Sequence, residues 1–224
     1  IRIIISTFQF VKMSFTYPLD NKTAIQLNQP LCKKIGCGSY GQVFEACNTK
    51  HVVKQVDKYE PNDVYVKSFD LYSITELVVL KKTMFANIPK VHSVSSTSNK
   101  LLIEMDNCGQ TLYDLSRKLT FEQRCNILPW IAYQLIRTCA QLEVNGIIHN
   151  DIKSANVLVN DQLTLSLIDF GLCVFESVEK TNNAITVSKD WGTYSICPPE
   201  MFLKGKWIAN KIMPWSIGMT LCEF

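Results

Sequence analysis

The first half of the chain carries short apolar runs separated by glycines and polar turns, with one helical pattern among them. Residues 31–56 (LCKKIGCGSYGQVFEACNTKHVVKQV) predict β-type runs broken by three glycines, a turn at Asn48–Lys50 and a further strand ending near Lys54. Residues 68–85 place apolar side chains at helical spacing and predict a helix, and the apolar residues 100–106 predict a short buried strand. This part of the chain is therefore predicted to be β-rich with one helix.

The pattern then becomes helical. Residues 120–146 predict a long amphipathic helix, which Thr120 can cap and which the turn at Asn145–Gly146 ends. Residues 156–171 predict two short strands joined by a turn at Asn160–Gln162. A β-rich front followed by a mostly helical back predicts an α+β fold of two lobes with a cleft between them.

Composition and charge narrow the functional class only slightly. A net charge of +3 on 224 residues is too small to indicate a nucleic-acid or membrane partner, and no stretch reaches the roughly 18 apolar residues of a membrane helix. The nine cysteines include no C-x-x-C pair, and no histidine stands at metal-ligand spacing. We therefore expect reduced thiols in an intracellular protein, cytoplasmic or nuclear, rather than a disulfide framework or a zinc site. Residues 1–30 are left as an unassigned leader.

Polar side chains concentrate in residues 149–159 (HNDIKSANVLV). Asp151, Lys153 and Asn156 stand at i, i+2 and i+5, which suits neither a strand nor a helix face but suits a loop that holds several groups around one point. Asp169 directly follows a buried strand and, together with the side-chain oxygen of Asn156, suits a hard cation such as Mg²⁺. These residues predict a base, a cation and metal ligands around a transferring phosphoryl group.

Three glycines and two charged residues lie upstream of that segment. Glycines between two strands usually serve turn geometry, but their backbone amides can also close over phosphate oxygens. A strand rather than a helix follows them, so the pattern is not the dinucleotide-binding one. Lys54 and Glu76 are each flanked by apolar residues, where a charge needs a partner.

In this order, the motifs resemble the eukaryotic-type protein kinase family over about residues 31–224. The resemblance implies ATP and Mg²⁺ as cofactors and assigns a role to each motif. It implies that the phosphates are covered by Gly36, Gly38 and Gly41, and that Lys54 holds the α- and β-phosphates and pairs with Glu76. Asp151 would accept the proton of the substrate hydroxyl, Lys153 would face the γ-phosphate, and Asn156 and Asp169 would hold Mg²⁺. Around the adenine it implies apolar walls from Val43, Val52 and Leu158, a flank from Ile103, and backbone groups from Glu104 and Asp106.

The same resemblance implies domain limits and a substrate class. Residues 31–106 would form the small, ATP-binding lobe. Residues 107–224 would form a large lobe that carries the catalytic loop and the activation segment and is incomplete at its C-terminal end. Lys153 and Thr193 are the serine/threonine-type choices, so we expect a protein substrate with a serine or threonine acceptor. No nucleic-acid or membrane partner is indicated, and the oligomeric state is left open.

Four features depart from the family pattern, among them Val52 in place of a common small alanine and the end of the chain inside a large-lobe helix. Asn150 replaces the arginine of the catalytic loop, which predicts little dependence on activation-loop phosphorylation and is similar to kinases of some large DNA viruses. Met213 replaces an aspartate that normally ties this loop to a large-lobe helix. Met213 and the early end of the chain keep open the alternative of a pseudokinase or scaffold that binds a partner or nucleotide without efficient transfer. A small-molecule phosphotransferase of the aminoglycoside type is disfavoured by the glycine hairpin and by residues 192–200 (GTYSICPPE).

Overall fold

The structure, a computed structural model, describes most of the chain after residue 30. The described residues are 31–38, 41–47, 49–57, 71–83, 87–97, 99–175, 193–202 and 209–224. The predicted leader at 1–30 lies outside them, as do the tip of the glycine hairpin at 39–40 and the stretch 176–192.

Five antiparallel strands and one helix form the N-terminal part of the described chain, from Leu31 to Asp106. The sheet has the order β1-β2-β3-β5-β4. Its strands are β1 (Leu31–Gly38), β2 (Gly41–Ala46), β3 (His51–Asp57), β4 (Val91–Ser96) and β5 (Lys100–Asp106), and helix α1 (Leu71–Lys82) precedes β4. The predicted strands are confirmed, and the predicted helix is confirmed over Leu71–Lys82; its predicted ends at 68–70 and 84–85 and Asn48 of the predicted turn lie outside the described residues. Strand β4 was not anticipated, because its sequence VHSVSS is too polar to stand out as a strand.

The two faces of this sheet have different surroundings. Side chains alternate between the faces along a strand, so Val52 and Lys54 of β3 share one face with their cross-strand partners Met105 and Ile103 of β5. This face belongs to the main apolar core, which also includes Val79 and Leu80 of α1. The opposite face packs a small separate cluster of Leu31, Ala46, Val53 and Leu102.

Helices dominate the remainder of the chain. The main helices are α2 (Leu112–Lys118), α3 (Phe121–Val144) and α4 (Ala209–Glu223). The predicted long helix is confirmed: Thr120 and Gln123 form a capping box at its start, and Asn145 caps its end. Together with the five-stranded sheet, these helices confirm the predicted α+β class. Among the described residues, no helix is both long and apolar enough to cross a membrane.

Short strands set the geometry of the loops between α3 and α4. Strands β6 (Gln110–Thr111), β8 (Val157–Val159) and β9 (Leu165–Leu167) form one small sheet, and β7 (Ile147–Ile148) pairs with β10 (Val174–Phe175). The predicted β8–β9 hairpin is confirmed, with the Asn160 side chain accepting hydrogen bonds from backbone amides in its turn. Because Val157 opposes Leu167, the residues just before β8 and just after β9 lie side by side.

The cysteines differ in part from the expectation of reduced thiols. Cys32 and Cys47 form a disulfide with a Cα–Cα distance of 5.4 Å. They lie 15 residues apart in the sequence, and only the pairing of β1 with β2, in which Leu31 opposes Ala46, brings them together. The other seven cysteines are free thiols, as expected.

Candidate active site

A buried ion pair joins the sheet to helix α1. The Nζ of Lys54 donates to both carboxylate oxygens of Glu76, at 2.8 and 2.6 Å, and lies 3.7 Å from Oδ1 of Asp169. Burial acts to lower the pKa of Lys54, but the negative charges of Glu76 and Asp169 outweigh it, and the pKa is raised above its usual value. Lys54 is therefore a cation held between the sheet, α1 and the segment after β9.

A second cluster lies in the loop between β7 and β8. Asp151 Oδ1 accepts a hydrogen bond from Thr193 Oγ1 at 2.7 Å, and its Oδ2 accepts from Lys153 Nζ at 2.8 Å and from Asn156 Nδ2 at 3.0 Å. Lys153 Nζ also donates to Thr193 Oγ1 at 2.8 Å. The Asp151 carboxylate is 5% exposed overall and is held on both oxygens. From the sequence, Thr193 indicates only the class of substrate, and its contacts with Asp151 and Lys153 are not predicted. Its position directly after a glycine was the one sequence feature that could have pointed to them.

The two clusters are connected through the β8–β9 hairpin and a buried histidine. Ile168, which precedes Asp169, donates its N–H to the backbone oxygen of Asn156 at 3.0 Å and accepts from His149 Nε2 at 3.0 Å. His149 Nδ1 accepts the N–H of Asp151 at 3.3 Å, which assigns the neutral tautomer with its proton on Nε2. Burial lowers the pKa of His149, in agreement with a neutral ring. The backbone contacts thus place both carboxylates relative to one another.

Two residues of this connection have left-handed backbone conformations. Asn150 has φ 63°, and Asp169 has φ 65° and ψ 67°. Asparagine and aspartate enter this region more readily than other side chains, because their short polar groups can bond locally. Phe170 follows Asp169, is fully buried, and packs edge-on against His149 with ring centroids 4.9 Å apart. The conformation at Asp169 is therefore fixed by packing on its C-terminal side.

Two residues with hard oxygen donors stand just before β8 and shortly after β9, on segments joined by the hydrogen bond from the Ile168 N–H to the Asn156 backbone oxygen. Asn156 is buried and Asp169 is partly open, with 28% of its side chain exposed. One amide oxygen and one carboxylate are ligands suited to Mg²⁺, which usually keeps several waters and takes few protein groups. The residues present therefore fit the predicted metal, and Asn156 also anchors the catalytic-loop candidate Asp151 through its Nδ2.

Gly41 is a position of the glycine hairpin where a side chain cannot fit. Gly38 opposes Gly41 across the hairpin, and Gly36 opposes Val43. A Cβ on Gly41 would lie 2.5 Å from the backbone oxygen of Gln55 in β3, whereas a Cβ on Gly36 would meet only ordinary contacts. Gly41 is thus required by the close approach of β2 to β3, which is the structural role of glycine that the sequence left open.

Candidate adenine contacts fall on both faces of the sheet. Val43 opposes Lys54, so it shares the inner face with Val52 and Ile103, whereas Leu158 is half-buried on β8 of the helical part. The carboxylates of Glu104 and Asp106 turn to the outer face and bond His51 and His92, so only the backbone groups of these two residues are available to a base. Met105, which opposes Val52 on the inner face, was missed; the two-residue alternation along β5 was the signal for it.

Asn150 and Met213, two of the positions that depart from the family pattern, are both buried. Asn150 is 5% exposed, and neither polar atom of its side chain has a hydrogen-bond partner among the described residues. Met213 on α4 is 1% exposed and lies in the main apolar core with Ile212. Thr220, two turns further along α4, donates to the backbone oxygen of Ile152 at 3.2 Å. Helix α4 therefore still contacts the catalytic-loop candidate although it lacks the aspartate.

Comparison with known proteins places these motifs in one family. Residues 30–224 match the family model described as protein kinase domain. The chain is similar to the PAS domain-containing serine/threonine-protein kinase of Mus musculus, at 29% identity over 196 residues that cover 84% of this chain and 14% of that protein. It is also similar to a probable serine/threonine-protein kinase of Dictyostelium discoideum, at 30% identity over 224 residues that cover 96% of this chain and 42% of that protein. The chain thus spans less than half the length of either relative. A viral origin stays a prediction.

Proposed function

Because the chain belongs to the protein kinase domain family, we propose that it transfers the γ-phosphate of ATP to serine or threonine hydroxyls of a protein substrate. The observation that carries the proposal is the meeting of two clusters. Lys54, Glu76 and Asp169 form one, and Asp151, Lys153 and Thr193 form the other. A nucleotide-holding cation and an oriented carboxylate are among the groups that protein kinases use for phosphoryl transfer.

Asp151 is proposed as the group that accepts the proton of the substrate hydroxyl. Its carboxylate is fixed by Thr193 on one oxygen and by Lys153 and Asn156 on the other, so its lone pairs have a set direction. A base within hydrogen-bond reach of the acceptor gives a rate gain of about 10²–10⁴. Lys153 contacts both Asp151 and Thr193 and would neutralise negative charge near the transferred group.

Nucleotide binding is proposed for the inner face of the sheet. Lys54 would hold the α- and β-phosphates, with Gly36, Gly38 and Gly41 covering them. The adenine would lie between Val43 and Val52 on one side and Leu158 on the other, with Ile103 at its flank. The backbone groups of Glu104 and Asp106 would bond its edge. Asn156 and Asp169 would hold Mg²⁺, which when bound neutralises charge on the phosphates.

Domain limits and surroundings belong to the same proposal. Residues 31–106 would act as the ATP-binding lobe, and residues 107–224 would carry the catalytic loop and the activation segment. The partner is a protein with a serine or threonine acceptor, and we propose an intracellular location. The alternative, a scaffold that binds nucleotide without efficient transfer, is favoured by one observation, the unpartnered buried amide of Asn150 in the described structure.

Replacing Asp151 tests the proposal. Asp151→Asn removes the proton acceptor but no group proposed to contact ATP, so transfer should fall by at least about 10²-fold while Mg²⁺–ATP affinity changes less than about threefold. The matched control is Asp161→Asn, an exposed carboxylate in the β8–β9 turn, which should leave both quantities unchanged. Equal transfer by wild type and Asp151→Asn would overturn the enzyme proposal.

A further inference from the structure

Two histidines and a carboxylate meet on the outer face of the sheet, opposite the face proposed to bind the nucleotide. His51 opens β3, His92 lies in β4 and Asp106 ends β5, and their potential ligand atoms all lie within 4.8 Å of one another. The two imidazole rings are stacked, with centroids 3.9 Å apart and planes 9° apart. Because these residues come from three strands, no local spacing in the sequence announces the cluster.

Sheet register explains why the three side chains converge. His51 and Asp106 are cross-strand partners, so their side chains lie on the same face. Val91 opposes Met105 and Ser93 opposes Glu104, which leaves His92 as the one extra residue of a β-bulge. Bulges re-aim side chains and are over-represented beside functional sites. Here the bulge turns His92 toward Asp106, with Nε2 of the ring 2.6 Å from Oδ1 of the carboxylate.

Neighbouring groups hold each member in place. The Nδ1 of His51 lies 2.8 Å from Glu104 Oε1, and the other oxygen of Glu104 accepts from Ser93 Oγ at 2.8 Å. Because a carboxylate oxygen accepts, the contact with Glu104 places the proton of His51 on Nδ1. The Nε2 of His51 is then a lone-pair donor. Asp106 is oriented in the same manner, since its Oδ2 accepts the N–H of Lys90 at 3.1 Å.

We propose that His51, His92 and Asp106 bind a divalent transition-metal ion of the Zn²⁺ type, with Glu104 orienting His51 from behind. Two imidazoles and one carboxylate are a ligand set that suits zinc, whereas Mg²⁺ and Ca²⁺ take oxygen ligands. A metal-bound histidine almost always donates its other N–H to a carboxylate or carbonyl, and Glu104 supplies that partner here.

Binding requires the two imidazole side chains to rotate out of their stacked arrangement, because each ring must point a nitrogen lone pair at the same ion. Ligand atoms at about 2.1 Å from a tetrahedral zinc ion lie about 3.4 Å apart. The 2.6 Å contact between His92 Nε2 and Asp106 Oδ1 would therefore open and release its proton, and the separations of up to 4.8 Å would close. Exposure permits this, because His92 is on the surface and His51 and Asp106 are half-buried. The ion would bridge β3, β4 and the end of β5. The site shares no ligand with the proposed Mg²⁺ site, so the inference does not depend on phosphoryl transfer.

Histidine NMR with Zn²⁺ alone tests the site directly. The chain has three histidines, and the third, His149, is fully buried elsewhere. One equivalent of Zn²⁺ should shift the imidazole resonances of His51 and His92 and leave those of His149 unchanged. Unshifted His51 and His92 resonances under these conditions would overturn the proposal.

Matched variants separate ligation from a general effect of metal. Loss of a group that hydrogen-bonds a metal ligand costs about 10–100-fold in metal affinity. His92→Gln removes a ligand itself, so it should weaken Zn²⁺ binding at least as much. Asp106→Asn should do the same if His92→Gln proves poorly folded in a metal-free thermal melt. Asp57→Asn, an exposed carboxylate at the other end of β3, is the control and should bind Zn²⁺ like the wild type.

The free thiols supply the competing outcome. Co²⁺ bound at the proposed site should show ligand-field bands of nitrogen and oxygen coordination without a thiolate charge-transfer band. A strong thiolate band, together with unchanged affinity in His92→Gln and Asp106→Asn, would assign the metal to cysteines such as the exposed Cys37 and would overturn the proposal.

Discussion

The Lys54–Glu76 ion pair yields a prediction that separates stability from function. The two side chains are 13% and 6% exposed, and their charged atoms lie 2.6 Å apart. Removing one partner of a buried pair costs about 3–5 kcal/mol of stability, because the other charge is left buried. Glu76→Gln leaves Lys54 with Asp169 at 3.7 Å as a remaining partner. We therefore expect the lower end of the range, a loss of about 3 kcal/mol in the free energy of unfolding.

Replacing both partners should have the opposite consequence for stability. Apolar side chains of similar volume in place of a buried pair are often neutral or stabilising. The double variant Lys54→Met with Glu76→Leu should therefore have a free energy of unfolding within about 1 kcal/mol of the wild-type value, or higher. Its affinity for Mg²⁺–ATP should fall at least about tenfold. Such a result would show that the pair is retained for nucleotide binding and not for stability.

Urea unfolding followed by circular dichroism, with nucleotide affinity measured on the same preparations, is the assay. Glu45→Gln, an exposed carboxylate on β2, is the control and should change neither quantity. The reasoning fails if Glu76→Gln costs less than about 1 kcal/mol, because the pair would then not be a desolvated one. It also fails if the double variant loses as much stability as the two single variants together.

Two further predictions concern the disulfide and the buried histidine. Cys32→Ser should lower the free energy of unfolding by about 3 kcal/mol in non-reducing buffer, which is the value for a disulfide loop of this length. Under reducing conditions it should have little effect. Cys37→Ser, which removes a free thiol, is the matched control. The pKa of His149 is lowered in the folded chain, so as pH falls the unfolded chain protonates this ring first. The contribution of the neutral ring to the free energy of unfolding is therefore full above about pH 6.5 and is lost as the pH falls further. Urea titrations between pH 7.5 and 5 should show a smaller acid loss for His149→Gln, by up to about 1.4 kcal/mol per pH unit.

Each of these has a clear contrary outcome. Equal losses for Cys32→Ser with and without reductant would mean that the serine disturbs packing and that no disulfide is broken. Parallel pH profiles for wild type and His149→Gln would mean that the ring is protonated in the folded chain, against the hydrogen bond it accepts from Asp151 N–H.

Residues brought together by local motifs were predictable from the sequence. Asp151, Lys153 and Asn156 lie within one loop, and a hairpin of two short strands returns the chain to place Asp169 beside them. A short hairpin allows few registers, so the order of motifs is enough to group these side chains. The pairing of Lys54 with Glu76 followed from the family resemblance, and the structure shows the contact.

Groupings that depend on register across several strands were not predictable. The Cys32–Cys47 disulfide requires the exact pairing of β1 with β2, and the His51, His92 and Asp106 cluster requires both the β3–β5 register and a bulge in β4. A shift of one residue would turn each of these side chains to the other face. Strand β4 itself has too few apolar residues to announce its position, so the sequence contained no basis for the cluster.

The most direct test of the central claim is whether the protein transfers phosphate. The wild-type protein would be incubated with Mg²⁺, γ-labelled ATP and peptides that carry serine, threonine or tyrosine, and the phosphorylated amino acid would be identified. Our account predicts label on serine and threonine, little on tyrosine, and none above background with Asp151→Asn. Nucleotide binding by the wild type with no transfer to any peptide or protein acceptor would contradict the account and support the scaffold alternative.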